Sequence, residues 1–155
     1  MSFVERTIVL DPGEGKVSPI PGTGLTLKLA SRDTEGAFGL VELTLDGEGP
    51  PPHIHHGEDE TFYILEGEVN FTVGSRTIKA TKGSVVLGPK DVAHSFSMAG
   101  PEPAKILVIF TPGGLEQLFI DVMAAPTPTT KEEYVNRMIA LGGKYNVELL
   151  PPPAG

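Results

Sequence analysis

The chain contains no cysteine among its 155 residues. Disulfide bonds, iron-sulfur clusters and catalysis by the chain's own thiols are therefore excluded, and any metal site must use nitrogen and oxygen ligands. Basic residues are also scarce, because 12 Lys and Arg stand against 20 Asp and Glu, for a formal net charge of -8. Binding to nucleic acid relies on clustered cations, and no basic run occurs, so we expect no nucleic-acid partner.

Long apolar runs are missing as well. The longest ones are far too short to span a bilayer, and the N-terminal stretch MSFVERT lacks the apolar core of a signal peptide. These features predict a cytoplasmic protein with no membrane partner.

Turn-forming residues, by contrast, are abundant. The 19 Gly and 15 Pro indicate many turns and short strands, which favours an all-β barrel or sandwich. A chain of 155 residues is long enough for one domain with a substantial core and too short for two ordinary ones.

Histidines and a carboxylate in the middle of the chain predict a metal site. His53 and His55 are two residues apart, so on an extended strand both imidazoles point to the same face and can share one ion. Glu60 follows five residues after His55, out of phase with a straight strand. We expect Gly57 to provide the bend that lets Glu60 join, because glycine tolerates unusual backbone angles.

A third imidazole follows later in the chain. An apolar run ends at the turn formed by residues 88–91, and His94 opens a new alternating segment. Three imidazoles and one carboxylate suit one divalent transition metal, namely Fe, Mn, Ni, Co, Cu or Zn.

These residues resemble the two sequence motifs of the cupin family. The first motif is matched without a gap by Gly47, His53, His55, Glu60 and Gly67. The second is matched by Gly83, Pro89 and His94, with Asp91 where a Gly is usual and Met98 where an Asn is usual. Asp tolerates a left-handed turn conformation, so the first departure is mild. The second removes a polar group beside the ligands without changing them.

The resemblance implies an all-β fold, the double-stranded β-helix jelly-roll barrel, with a C-terminal α-helical extension. We expect a single cupin domain over residues 1–155, with a barrel core at about 38–111 and a helical extension at 112–155. Helical periodicity supports the extension, since apolar residues recur on one face at Leu115, Leu118, Phe119, Val122 and Met123. Thr130 and Glu133 are spaced as a capping box for a second helix that carries Tyr134, Val135, Met138 and Ile139.

Apolar residues that share the phase of the ligands are predicted to form the walls of a substrate pocket. They are Phe62, Ile64, Phe71, Phe96 and Met98. The alternative is that they belong to the core. Residue type does not distinguish the two, because small-molecule pockets are also mostly lined by apolar side chains. His56 is out of phase and is expected at the surface or beside the site. Glu58 and Asp59 are expected to be solvated, or else to accept a hydrogen bond from a ligating imidazole.

Together with these motifs, the C-terminal helix pattern resembles the single-domain quercetinase-like cupins. The resemblance implies a metal-dependent dioxygenase for a small enolisable or aromatic substrate, in which Glu60 is both ligand and general base with near-neutral basicity. One alternative is a non-catalytic metallocupin that binds or senses a small molecule. Another is an isomerase or decarboxylase, which is disfavoured because neither motif places Arg or Lys in the interior phase.

A homodimer is also expected from the resemblance. The β-prone run from Thr7 to Leu10 is predicted to pair at a sheet edge or with a partner subunit, the alternative being a loosely held terminal strand. The outward-facing Tyr63 and Leu65 would complete the interface.

Overall fold

The protein is described by a computed structural model over residues 6–18, 23–124 and 126–151. The side chains of Thr23 and Met123, and with them the predicted place of Met123 on the first helix face, lie outside the described part. Within these ranges the chain forms two antiparallel β-sheets and a C-terminal helical segment.

Eleven strands and two α-helices follow one another along the described chain. They are β1 Lys16–Ser18, β2 Thr23–Leu29, β3 Gly39–Leu45, β4 His53–His55, β5 Asp59–Glu66, β6 Glu68–Val73, β7 Arg76–Thr81, β8 Val85–Gly88, β9 His94–Met98, β10 Ala104–Thr111, α1 Glu116–Ala124, α2 Lys131–Gly142 and β11 Val147–Leu149. One sheet has the order β1-β2-β3-β10-β5-β8 and the other β11-β4-β9-β6-β7. The predicted all-β jelly roll with a C-terminal helical extension is confirmed.

Alternating apolar residues build the core between the two sheets. On β3 and β10 every second side chain is buried, as at Val41, Leu43, Ile106 and Val108. Because side chains of a strand alternate between faces, a period of two is what a half-covered sheet requires. The same alternation continues on β5.

Two turns contain a residue in the left-handed conformation. Gly67, between β5 and β6, has a φ of 80°, and a Cβ there would lie 2.8 Å from the Ala104 Cα. Asp91 has a φ of 67°, in agreement with its place where a glycine is usual. Gly57 differs, since it is not among the glycines with positive φ and the bend around it needs no special backbone angle.

The N-terminal segment departs from expectation. Residues 7–10 form no strand, and Ile8, Val9 and Leu10 are exposed. β1 instead occupies the edge position beside β2, so the predicted pairing of the earlier run at a sheet edge is wrong, while its pairing with a partner subunit stays a prediction. β1 and β2 precede residue 38 yet belong to the six-stranded sheet, so the barrel begins earlier in the chain than expected.

The C-terminal segment returns to the strand of the two histidines. The Thr130 hydroxyl accepts a hydrogen bond from the Glu133 backbone N–H at 3.1 Å, which caps α2 as predicted. The Glu133 carboxylate reaches one residue further back and accepts from the Thr129 N–H. β11 then pairs with β4, so the extension is joined to the metal-site strand. No helix in the three described ranges has the length and hydropathy needed to cross a membrane.

Candidate metal centre

The two sheets bring three histidines and one carboxylate together from opposite sides. His53 on β4 lies directly opposite His94 on β9 in the antiparallel register, and His55 points to the same buried face of β4. Glu60 comes from β5 in the facing sheet. The turn at residues 56–58 carries the chain from one sheet to the other. The spacing of five residues between His55 and Glu60 therefore does not prevent Glu60 from facing the histidines.

The four side chains converge on a single point. Their potential ligand atoms all lie within 4.8 Å of one another. The Glu60 Oε2 atom is 2.8 Å from His94 Nε2, 2.9 Å from His55 Nε2 and 3.9 Å from His53 Nε2. All four residues are buried. The Nε2 atoms are thus the ones that face the common centre.

The other ring nitrogen of each histidine faces an acceptor. The contacts are His53 Nδ1 to Pro51 O at 2.8 Å, His94 Nδ1 to Val92 O at 3.4 Å, and His55 Nδ1 to Glu58 Oε1 at 3.0 Å. Because a carbonyl oxygen can only accept, the Nδ1 of His53 and of His94 carries the proton in the neutral ring. Each Nε2 lone pair is then directed at the centre, the arrangement by which proteins orient metal-binding imidazoles.

Electrostatics at this centre require a cation. Neutral Nε2 atoms and the Glu60 carboxylate are all acceptors, and acceptors this close repel each other unless a proton or a metal ion lies between them. Burial by itself would lower the pKa of His55, but the hydrogen bond to Glu58 and the nearby carboxylate of Glu60 outweigh it and raise that pKa to about 9. The metal-free site therefore holds a proton at neutral pH.

The pKa of Glu60 is low, whereas a near-neutral value was expected for a general base. Burial would raise its pKa, but the close imidazoles of His53, His55 and His94 and the charge of His55 hold it well below the ordinary value. The expected near-neutral basicity is therefore wrong for the metal-free site. Glu60 is a carboxylate throughout the neutral range, the form that a metal ligand needs.

One buried nitrogen in the site has no hydrogen-bond partner. His55 Nε2 lies 2.9 Å from the Glu60 carboxylate but in a direction that makes no hydrogen bond, so the atom is left unsatisfied. An unpaired buried polar atom costs free energy, and it is expected where an ion completes the site. Three nitrogen donors and one oxygen donor fit a divalent transition metal.

The centre opens onto an apolar cavity of about 110 Å³. His53, His55 and Glu60 line it, whereas the His94 side chain is fully enclosed behind them. The remaining walls come from β2, β3, β9 and β10, from the loop at residues 49–51, from α1 and α2, and from β11. A ligand that enters the cavity therefore meets His53, His55 and Glu60, the three members of the cluster that line it.

Comparison with known proteins identifies the family. The model of the cupin domain matches residues 39–110, which span β3 to β10 and contain all four residues of the centre. An uncharacterised protein of Streptomyces coelicolor is 35% identical over 77 residues, which cover 50% of this chain and 68% of that protein. The chain belongs to the cupin superfamily.

This cupin is also similar in sequence to a quercetin dioxygenase and in structure to a second cupin-fold protein. Quercetin 2,3-dioxygenase of Bacillus subtilis is 28% identical over 117 residues, which are 72% of this cupin and 33% of that enzyme. This cupin therefore spans only about a third of that relative. The structure of KdgF from Halomonas sp. superposes with a TM-score of 0.62 at 15% identity, covering 72% of this cupin and 98% of KdgF. At that identity the likeness concerns the fold alone.

Of the predicted pocket walls, only Phe96 lines the cavity. Phe62, Ile64 and Phe71 are fully buried in the core, and Met98 packs against the core from a partly exposed position. Residues two apart on a strand share a face but lie roughly 7 Å apart along it. Phe62 and Ile64 therefore follow Glu60 on the inner face but lie deeper, beneath the centre and not around it.

The charged neighbours of the ligands have distinct places. Glu58 is buried against His55 and takes the hydrogen-bonding alternative rather than the solvated one. Asp59 accepts a hydrogen bond from the Lys90 backbone N–H at 2.8 Å. His56 is exposed and contacts acidic groups of the second motif and of β11, as expected for a residue outside the centre. Sequence spacing carried no signal that singled out Glu58.

Glu58→Gln is expected to weaken metal binding by this cupin about 10-fold or more. The amide oxygen can still accept from His55 Nδ1, but the negative charge that makes the imidazole a better donor is lost. Isothermal titration with Zn²⁺ measures the change. Glu66→Gln, at the exposed end of β5, removes the same charge away from the centre, and this variant should bind the metal as the unaltered protein does. Equal affinities for the two variants would refute the role of Glu58.

Metal binding is also expected to strengthen as the pH rises towards about 9. Because the pKa of His55 is raised to about 9, the metal must displace a proton at neutral pH. Each pH unit below that value should lower the apparent affinity about tenfold. Calorimetry in buffers of different ionisation enthalpy counts the protons, and about one should be released at neutral pH. An affinity that stays constant over this range contradicts the prediction.

Proposed function

We propose that this cupin is a metal-dependent oxidoreductase of the dioxygenase type. It would act on a small enolisable or aromatic substrate, with dioxygen as the oxidant, at a centre formed by His53, His55, Glu60 and His94. The observation that carries the proposal is the convergence of three Nε2 atoms and one carboxylate at an apolar cavity. The likeness to quercetin 2,3-dioxygenase supports this reaction class over others found on the fold.

The residues of the site have separate tasks in this proposal. When bound, a divalent transition metal supplies a Lewis-acidic centre with positions open to a substrate oxygen. Glu60 lines the cavity as a carboxylate, the form that ligates a metal. Because its pKa is low, its second proposed task, to accept the proton of an enolic hydroxyl, requires that the site make this hydroxyl more acidic. The apolar walls exclude water, which strengthens electrostatic interactions in the site.

Oxygen consumption tests the proposal directly. The protein is loaded separately with Fe²⁺, Mn²⁺, Ni²⁺, Co²⁺, Cu²⁺ and Zn²⁺, its metal content is measured, and each form is supplied with flavonols and single-ring enolones in air. We expect oxygen uptake with at least one redox-active metal and none with Zn²⁺. Absence of uptake with every metal would leave a cupin that binds or senses a small molecule without catalysis.

We also propose that the protein forms a homodimer through the outer face of its six-stranded sheet. Tyr63 on β5 pairs with Val85 on β8, and Leu87 lies two residues further along. All three side chains are exposed. A cluster of large exposed apolar side chains is uncommon on a monomer and marks an interaction surface. A second copy of the same chain would bury it.

Light scattering tests the dimer. Val85→Asp should convert the dimer to a monomer, because it places a charge in the apolar face. Thr77→Asp, at an exposed position of the other sheet, should leave the mass unchanged. A monomeric mass for the unaltered protein at micromolar concentration would rule out the dimer.

A further inference from the structure

The cavity beside the metal centre contains very little polarity apart from the centre itself. Its lining comprises the three accessible members of the cluster, apolar residues and one glycine, together with two polar side chains, Lys131 and Tyr134. Both belong to α2, which lies outside the two motifs that carry the ligands. Among the side chains of the described residues, those of the cluster and of this helix are therefore the ones that can recognise an oxygen or charge on the substrate.

Lys131 is the less suitable of the two for contact inside the cavity. It is the first residue of α2, its side chain is about half exposed, and its Nζ lies 3.7 Å from the carboxylate of Glu48. An ammonium group with an acidic neighbour and access to water gains little from a further partner. Lys131 thus lies at the rim of the cavity.

Tyr134 is in a different situation. Its side chain is partly buried against the core, and among the described residues its hydroxyl has no hydrogen-bond partner, in contrast to Tyr145 on the same segment, which donates to Asp121. Burial alone raises the pKa of Tyr134, with no contribution from a neighbouring charge or hydrogen bond. The phenol is therefore neutral and is a hydrogen-bond donor. A hydroxyl in apolar surroundings gains free energy from any acceptor that reaches it.

The size of the cavity limits what can reach both the cluster and Tyr134. Its volume of about 110 Å³ is comparable to the roughly 150 Å³ of an engineered apolar cavity that holds one benzene ring. A flavonol has three rings. The cavity therefore encloses a single ring, whereas a flavonol would have to extend out of it.

Resting on the proposed function, we infer that the substrate is a single-ring enolone with two separate oxygen functions. Its hydroxyketone is directed at the cluster of His53, His55 and Glu60, and a second oxygen accepts a hydrogen bond from the Tyr134 hydroxyl. Tyr134 is then the substrate-binding residue that selects among single-ring compounds, and α2 contributes directly to specificity.

A matched pair of ligands isolates the hydrogen bond. Kojic acid and allomaltol are single-ring hydroxypyranones with the same hydroxyketone, and they differ in one remote hydroxyl that only kojic acid carries. Binding is measured by calorimetry on the Zn²⁺-loaded protein, whose metal content is determined first, so that no turnover is needed. The unaltered protein should prefer kojic acid about 3- to 10-fold, the value of one hydrogen bond. In Tyr134→Phe this preference should disappear while allomaltol binds as before.

The controls separate this inference from the proposed function. Met138→Leu changes another lining residue of α2 without a polar group and should retain the preference for kojic acid. A preference that persists in Tyr134→Phe, or quercetin that binds more tightly than kojic acid, overturns the inference while leaving the dioxygenase proposal intact. A protein that takes up no metal overturns both. Preserved discrimination without oxygen uptake by any redox-active form supports the inference and contradicts the dioxygenase.

Discussion

His94→Ala is expected to lower the affinity of this cupin for a divalent transition metal at least about 100-fold. His94 supplies one of three imidazole nitrogens, 2.8 Å from the Glu60 carboxylate, and its side chain is fully enclosed. Changes at a residue that only orients a ligand typically cost about 10- to 100-fold in affinity, so loss of a ligand costs at least the upper value. Titration with Zn²⁺, with competition by a chelator for the unaltered protein, measures the difference.

The chain provides a matched control in its fourth histidine. His56 follows His55 directly, but its side chain is exposed and contacts Asp91 at 2.7 Å and Glu148 at 2.9 Å. His56→Ala removes an imidazole from the same stretch without removing a ligand, so the metal affinity should be unchanged. Unfolding curves of the metal-free variants show whether each is folded. Folded His94→Ala protein with unchanged affinity would contradict the proposed centre.

Phe71→Ala is expected to lower the free energy of unfolding by about 3 to 5 kcal/mol. Phe71 is fully buried, and its ring centroid lies 5.0 Å from that of Phe62 and 5.7 Å from that of Phe96. Alanine loses the free energy of burying the ring and leaves a void that the surrounding aromatic residues fill only in part. Urea denaturation of the metal-free protein measures the effect.

The neighbouring residue serves as the comparison. Thr72 is exposed on the same strand, and Thr72→Ala should change the free energy of unfolding by no more than about 0.5 kcal/mol. Phe71 and Thr72 are neighbours in the sequence, but their side chains lie on opposite faces of β6. Similar losses for both substitutions would show that Phe71 does not occupy the core as described.

The sequence was informative about the ligands because each inference was local. His53 and His55 lie on the same face of β4 because side chains alternate along a strand. Gly67 and Asp91 are residue types that tolerate a positive φ, and both have one. Such features depend on a few neighbouring residues. The four cluster residues could therefore be selected before the two sheets were known, with His94 joined to the others by its place in the second motif.

The distribution of apolar residues between core and cavity could not be read in the same way. Alternation assigns Phe62 and Ile64 to the inner face, but it does not say how far each lies from the mouth of the barrel. The helical pattern of α2 likewise placed Tyr134, Val135, Met138 and Ile139 together, whereas the first three line the cavity and Ile139 is exposed. The direction from which an apolar face is covered depends on long-range packing.

The residue types and spacing alone therefore settled the strand faces, the special turns, the choice of donor atoms and the all-β class, since these follow from backbone geometry over short distances. The packing of distant segments settled the rest: β11 joins β4, and Tyr134 reaches the cavity from a helix more than seventy residues beyond Glu60. Contacts of that kind arise only when two sheets and a helical segment bury their apolar faces against one another, and no local pattern encodes them.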